Sequence, residues 1–272
     1  AKTIELGIDK TYAQPHKDKL ELLFLQAKWL TNDIISHLRD GNPNSWDDKK
    51  KCVNVRMGRD SSEYEPRELT ILSSKNKQNL RDRVKDNLSS LHSLKNNGHK
   101  VGALKYVKEI SSIPYNQFKN DFDIDLQSRK IKIQKIGWLK VHGLSQLPQD
   151  ADIATGKLVK TPRGFVFHLT FYTSKEEYSY NPGSIVGIDF GVKTFLTLSD
   201  GTEFLNSIPV TPRLKNLQRK LSRQVKGSND YIKTVCSIQK CYHDISHQKD
   251  DIANKLVSFL LNTYEIIVIQ DE

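Results

Sequence analysis

The stretch SIVGIDFGVKTFLTLSDGTEF, Ser184 to Phe204, decides how this chain is read. It predicts a strand over SIVGIDF, a second over KTFLTL, a Ser199-Asp200-Gly201 turn and a third strand over TEFL. Asp-Gly between two alternating apolar runs is a strong hairpin signal. The first strand carries an acid, Asp189, near its end and runs into Gly191. An ionised carboxylate withdrawn from water without a partner is very costly. A buried strand with an aspartate must therefore supply hydrogen bonds, an opposite charge or a cation. Gly191 would let a substrate come close to the backbone there.

A second acid bears on the first. The chain ends in YEIIVIQDE, a β-branched run that predicts a fully buried, central strand finishing in Asp271 and Glu272. Between the two runs lie a helical stretch from Thr211, a break at Gly227-Ser228, and a second helix over Asp230 to Asn262. The second helix has an apolar stripe through Ile232, Val235, Ile238, Ile245, Ile252, Leu256 and Phe259. If the two strands lie side by side and parallel, these helices are the crossover. Both acids then stand at the carboxyl ends of neighbouring strands, where α/β sites form. Paired carboxylates bind hard divalent cations. Two such ions about 3.5–4 Å apart activate water and stabilise the leaving oxygen of a phosphodiester. Spacing alone leaves the ordinary reading open, in which Asp189 is a turn or cap residue and Glu272 is solvent-exposed. Asp200 reads as a turn former rather than a ligand.

Upstream, Thr3 to Ile8 alternates as a short strand. A helix follows Pro15, with Leu20, Leu23, Phe24, Ala27, Leu30 and Ile34 on one stripe. Gly41 to Glu68 is polar and reads as a long irregular insertion. A second helix presents Leu80, Val84, Leu88 and Leu91 on one face and stops near Gly98. Its opposite face carries Lys77, Arg81, Lys85 and Lys95, either as a solvated face or as a contact for RNA. From about Asp123 the pattern becomes strands, two of them joined by Thr161-Pro162-Arg163-Gly164. They suggest a small β-barrel in which Phe165, Phe167, Leu169 and Phe171 share a face. Lys157, Lys160 and Arg163 could meet a phosphate backbone, whereas His168 reads as structural. Asn181 to Ser184, NPGS, reads as the clearest boundary.

The formal net charge is +10 and the isoelectric point about 9.3. A polyanionic partner, nucleic acid first, fits that balance. The stretch Thr211 to Lys226 holds six basic residues, Arg213, Lys215, Arg219, Lys220, Arg223 and Lys226, and no acid. Cys52, Cys236 and Cys241 form no Cys-x-x-Cys pair, so reduced thiols are expected and no zinc site or disulfide framework follows. The longest apolar runs, such as Leu256 to Leu261, are far too short to span a membrane. The N-terminus lacks a signal-peptide core. A cytoplasmic, nucleoid-associated protein of prokaryotic type is the expectation.

GIDFGVKTF followed by TLSDG resembles the first RuvC motif of transposon-encoded TnpB proteins and the related miniature type V-F CRISPR effectors. IIVIQDE resembles their second motif, a hydrophobic strand ending in the catalytic Glu. RKIKIQKIGWLKVHG and LVKTPRGFVFHLTFYT resemble strands of the TnpB wedge domain, and the segment from Arg219 to Leu260 resembles the basic helical hairpin between the motifs.

The resemblance implies an α+β multidomain chain. Residues 1–10 and 123–180 would form a wedge-type β-barrel, 11–122 a helical recognition insert, and 181–272 an RNase H-like (RuvC) domain with its hairpin at 211–262. It implies an RNA-guided DNA endonuclease using Mg²⁺ or Mn²⁺, with guide RNA and double-stranded target DNA as partners and a short flanking motif read by the protein. Asp189 matches the first catalytic and metal-binding acid, and Glu272 the second if Gln270-Asp271-Glu272 aligns as Gln-x-Glu. In the family a zinc ribbon and a third acid follow the second motif, so zinc is expected only in such a portion. Without a third acid, cleavage by residues 1–272 alone is not expected. A fragment, one part of a divided nuclease and a shortened, nuclease-inactive RNA-guided binder all fit the motifs, as does a guide-independent RNase H-fold transposase or resolvase. Monomer and homodimer both stay open.

Overall fold

The computed structural model describes residues 1–11, 14–39, 50–58, 63–174, 180–191, 194–205 and 211–269. Two compact units divide the chain, Ala1–Ser174 and Lys175–Glu272.

The first unit runs β1 (Lys2–Ile8), α1 (Gln14–Arg39), β2 (Cys52–Arg56), β3 (Tyr64–Glu68), α2 (Ser74–Asn96), β4 (Ser112–Tyr115), β5 (Phe122–Asp125), β6 (Lys130–Ile133), β7 (Gly137–His142), β8 (Asp152–Thr161) and β9 (Gly164–Tyr172). Seven strands form one antiparallel sheet in the order β4-β8-β9-β1-β7-β6-β5. A short connection holding a Phe118–Phe122 bridge joins its two end strands, so the sheet is a near-closed barrel. Strict alternation in β9 sends Phe165, Phe167, Leu169 and Phe171 inward, each no more than 5% exposed. Against this core pack α1, through Leu20, Leu23, Phe24, Ala27, Leu30 and Ile34, and α2, through Leu80 and Val84. Their spacing is the helical stripe expected of a half-buried helix.

Two local readings change. The insertion expected over Gly41–Glu68 contains a hairpin, β2 with β3, that anchors Val53 in the core. Its second strand, YEPRE, hides from pattern recognition because it is charged and holds a proline, tolerated on an edge strand. The buried Gln26 of α1 fixes the segment after this hairpin: its amide donates to the Glu68 carbonyl and the Thr70 hydroxyl and accepts from the Ile71 amide. Next, β4 lies within the stretch expected to be a helical insert, yet it is part of the barrel, with Ile113 and Tyr115 fully buried. As the sequence predicts, α2 stops at Gly98, which is left-handed; it starts at Ser74 behind a reciprocal Ser73–Asn76 cap.

The second unit runs β10 (Asn181–Phe190), β11 (Thr194–Leu198), β12 (Glu203–Leu205), α3 (Pro212–Ser222), α4 (Asn229–Thr263) and β13 (Tyr264–Ile269). Its sheet has the order β12-β11-β10-β13. NPGS, read as a boundary, lies shortly after the division between the two units at Ser174 and Lys175. It opens β10, where a register irregularity lies between Asn181 and Ile185 and the Gly183 amide donates to the Glu265 carboxylate. One face of the sheet buries Val186, Ile188, Leu196 and Leu198 against Leu260 of α4. A separate small cluster, Leu214, Ile238 and Cys241, ties α3 to α4. The stripe predicted along α4 is correspondingly interrupted, with Ile232, Ile252 and Phe259 exposed. Among the described residues no helix is long and apolar enough to cross a membrane.

Candidate functional site

The two strands that carry the predicted acids are neighbours, and they are parallel. Ile185 pairs with Ile266, Val186 with Ile267, Gly187 with Val268 and Ile188 with Ile269. The crossover between them is α3 and α4, as the spacing requires of parallel strands. Asp189 stands one residue beyond the Ile188–Ile269 pair, at the carboxyl end of β10, and pairs across the other edge with Thr197 of β11. Glu272 lies outside the described residues, as do Gln270 and Asp271.

The environment of Asp189 differs from the one its sequence suggested. Alternation along β10 puts Val186 and Ile188 on the core face, so Asp189 shares the other face with Ile185 and Gly187. That face is open: Asp189 is exposed and Ile185 is 62% exposed. The carboxylate makes no hydrogen bond or ion pair with any described residue, so it is solvated and available for a ligand. β13 is likewise not a buried central strand. It ends the described sheet, and Ile266, Val268 and Ile269 are 48%, 53% and 59% exposed. The desolvation argument for a cation at Asp189 therefore does not apply in this unit. What remains of that argument is position and oxygen chemistry. Among the described residues no group of three or more His, Cys, Asp or Glu side chains forms a metal cluster. Gly191 also has a local reason: a Cβ there would lie 2.6 Å from the Thr194 carbonyl oxygen, so the returning backbone, not a substrate, requires it.

Asp200 occupies the hairpin turn and accepts from the Thr202 amide at 2.9 Å. Its other oxygen accepts from the Tyr264 hydroxyl, which fastens the turn to the first residue of β13. These bonds, Tyr264 first, hold the Asp200 carboxyl below its ordinary value. No periodicity in the sequence announces that link.

Residues 168–271, which include both strands and the helical crossover, match the family model OrfB_IS605, described as "Probable transposase". Over 153 residues the chain is 30% identical to the protein named "Putative RNA-guided DNA endonuclease InsQ" of Escherichia coli (strain K12). That alignment takes in 54% of this chain and 37% of InsQ, so the chain matches little more than a third of its relative's length. The Cas12f1 chain of a cryo-EM structure of a Cas12f1-sgRNA-target DNA complex aligns with 99% of this chain, covering 73% of its own, at 14% identity and a TM-score of 0.30. At that score the likeness adds nothing to the fold described above.

Within the residues that match that family model, all six predicted basic residues of 211–226 are exposed: Arg213, Lys215, Arg219 and Lys220 on α3, then Arg223 and Lys226 beyond it. Thr211 caps α3 through its hydroxyl on the Leu214 amide, and Leu214, 2% exposed, sets which side faces solvent. In the first unit the predicted cations divide. Lys85, Lys157 and Arg163 are exposed and Arg81 is half-buried. Lys160 binds Glu21 at 2.7 Å. Lys77 is a correction: it is 5% exposed, and its ammonium donates to the Lys50 carbonyl at 2.6 Å. It lies on the packed side of α2, not on its solvated face. Glu5 and His168, cross-strand partners in register, approach to 3.3 Å, a structural arrangement on the barrel surface.

Proposed function

We propose that this chain is part of an RNA-guided DNA endonuclease in which Asp189 and Glu272 supply oxygen ligands for divalent metal. The observation that carries the reading is the parallel β10–β13 pairing inside a segment that matches OrfB_IS605. The relationship to InsQ supports the same class of activity. The solvated carboxylate of Asp189 suits Mg²⁺, a hard cation that keeps several waters and takes one or two carboxylates. When bound, such an ion polarises the phosphate and lowers the pKa of water. The chain's own contribution is to hold Asp189 at the end of a strand whose partners on both sides fix its direction. The exposed arginines and lysines of 211–226 would hold the sugar–phosphate backbone of a guide–target heteroduplex, while base pairing reads the sequence. Such contacts position nucleic acid without selecting bases.

The test uses the protein at its full encoded length. RNA that co-purifies is sequenced, and matched double-stranded DNA is offered with Mg²⁺. Cutting of matched DNA that falls at least about 100-fold in Asp189→Ala, with RNA binding retained, is expected. Undiminished cutting by that variant, or the absence of any bound RNA, overturns the proposal. Guide-dependent DNA binding without cutting would instead favour the nuclease-inactive binder.

A further inference from the structure

An apolar groove opens on the second unit at the carboxyl end of β10, the end that carries Asp189. Its cavity of about 610 Å³ is lined by Phe195 of β11, Phe204 and Leu205 of β12, and Ile252, Leu256 and Phe259 of α4. The register places it: Phe190 pairs with Leu196 and Thr194 with Leu205, so the ends of three strands meet there. The groove is open to solvent. Phe195, Ile252 and Phe259 are exposed, and Leu205 is 70% exposed. Phe190, 55% exposed, adjoins it, with its ring 6.4 Å from that of Phe195 in an edge-to-face pair. Phe204 and Phe259 form a second such pair at 5.8 Å. An apolar opening of this size on a protein surface marks a binding site.

Two observations select the occupant. The lining is aromatic as well as aliphatic, and an edge-to-face pair occupies only one face of one of its two rings. The remaining faces accept a further flat ring. The second observation is charge. Gln218 of α3 donates to the Tyr242 hydroxyl of α4 at 3.0 Å, which aligns the two antiparallel helices. At about 1.5 Å per residue, Arg213 then lies level with the turn of α4 that carries Lys249, a lining residue. The exposed cations of 211–226, with no acid among them, therefore run up to the mouth of the groove. On the rim itself charge balances: Asp250 follows Lys249, and Lys255 pairs with Asp251 at 2.7 Å. Cations lead to the groove and aromatic rings line it, the combination that binds single-stranded nucleic acid.

We propose that this groove stacks an unpaired base of single-stranded DNA, with the neighbouring phosphates held by α3. Phe190 and Asp189 are consecutive in β10 and point to opposite faces of the sheet. A strand that rounds the carboxyl end of β10 thus offers a base to Phe190 and a phosphate to Asp189. That placement rests on the nuclease reading; stacking in the groove does not.

The test uses the protein at its full encoded length with no divalent metal added, so that binding is read without cutting. Fluorescence anisotropy compares labelled hexathymidylate DNA with the same backbone carrying abasic residues. The abasic strand should bind at least about fivefold more weakly. Leu205→Glu and Phe190→Ala, both at exposed positions, should each weaken hexathymidylate by a similar factor and leave the slope of log K against log salt unchanged. Arg213→Gln should instead flatten that slope by up to about 0.7. Phe190→Trp should retain binding, and the strand should quench the fluorescence it adds. Equal binding of the two strands overturns the proposal, as do unaltered affinities in both groove variants. So does tighter binding of hexauridylate RNA than of hexathymidylate, or a dimer that Leu205→Glu dissociates while strand binding persists unchanged. Base-dependent binding without guided cutting would refute the nuclease reading alone; guided cutting without base dependence would refute only this inference.

Discussion

Gly156 is the tightest point of the barrel, and substituting it tests how that barrel is packed. A Cβ built on Gly156 of β8 would lie 2.2 Å from Cζ and 2.4 Å from Cε1 of Phe167 on β9. Carbon atoms rest at about 3.5–4.0 Å, so the ring would have to move by more than 1 Å. It has little room: Phe167 is fully buried, 5.1 Å from the Phe122 ring and 6.0 Å from the Tyr115 ring. Replacing glycine by alanine otherwise stabilises by about 0.4–1 kcal/mol through the unfolded chain. Overpacking a full core costs about 1–3 kcal/mol, and at this distance we expect the steric effect to dominate. Gly156→Ala should therefore destabilise the first unit by about 1–2 kcal/mol net, lowering its melting midpoint by roughly 2–8 °C. Phe167→Leu alone should cost part of the ~3–5 kcal/mol of a complete truncation, and the double variant should recover at least about 1 kcal/mol of the sum. Urea unfolding followed by the fluorescence of Trp29 and Trp138, both in this unit, measures each corner of the cycle. A neutral Gly156→Ala, or strictly additive costs, would refute the packing argument.

Other expectations concern the second unit and the basic residues. Leu214→Ala should loosen α3 from α4 at a cost of about 2–5 kcal/mol. Hydrogen exchange should then accelerate in 212–222, and unchanged protection there would contradict the cluster with Ile238 and Cys241. Glutamine at Arg219, Lys220 and Arg223 should flatten the dependence of log K on log salt for nucleic acid by up to about 0.9 per lost phosphate contact. Lys77→Met should leave that slope unaltered, because its ammonium already serves the Lys50 carbonyl. The depressed Asp200 carboxyl contributes stability that is present above its ordinary value of 3.8 and lost as pH falls through the lower folded value. Asp200→Asn should flatten that acid limb, and Tyr264→Phe should shrink it; pH titration of unfolding midpoints reads both, and an unchanged limb in both variants would count against the link.

Patterns of period two and period 3.6 made much of this architecture legible. The alternation of Phe165 to Phe171, the helical stripe of α1 and the Asp-Gly hairpin all appear where the residues put them. The parallel neighbourhood of β10 and β13 was legible too, because a long basic helical stretch separates two apolar runs. What could not be read depends on partners distant in sequence. Lys77 looked solvated until Lys50, 27 residues earlier, supplied its acceptor. β3 looked irregular because Val53 and Gln26, not its own side chains, hold that hairpin in place. At Asp189 position was legible and environment was not. A β-branched strand predicts burial only when both of its faces are covered, and here the sheet leaves the face of Asp189 open. Gln270, Asp271 and Glu272 fall outside the described residues.

The parallel pairing also sets an order of events during synthesis. Strands β10, β11 and β12 can pair as hairpins while they emerge, but Ile188 must wait for Ile269, 269 − 188 = 81 residues later. At roughly 5–20 residues per second that interval is about 4–16 s, with loop closure deferred until the whole helical crossover exists. Until then Ile185 and Val186 lack the strand beside them, and α4 has no completed sheet on which to seat Leu260. The nascent second unit is thus exposed to proteases and chaperones for longer than the barrel's hairpins, whose partners follow within a few residues of one another.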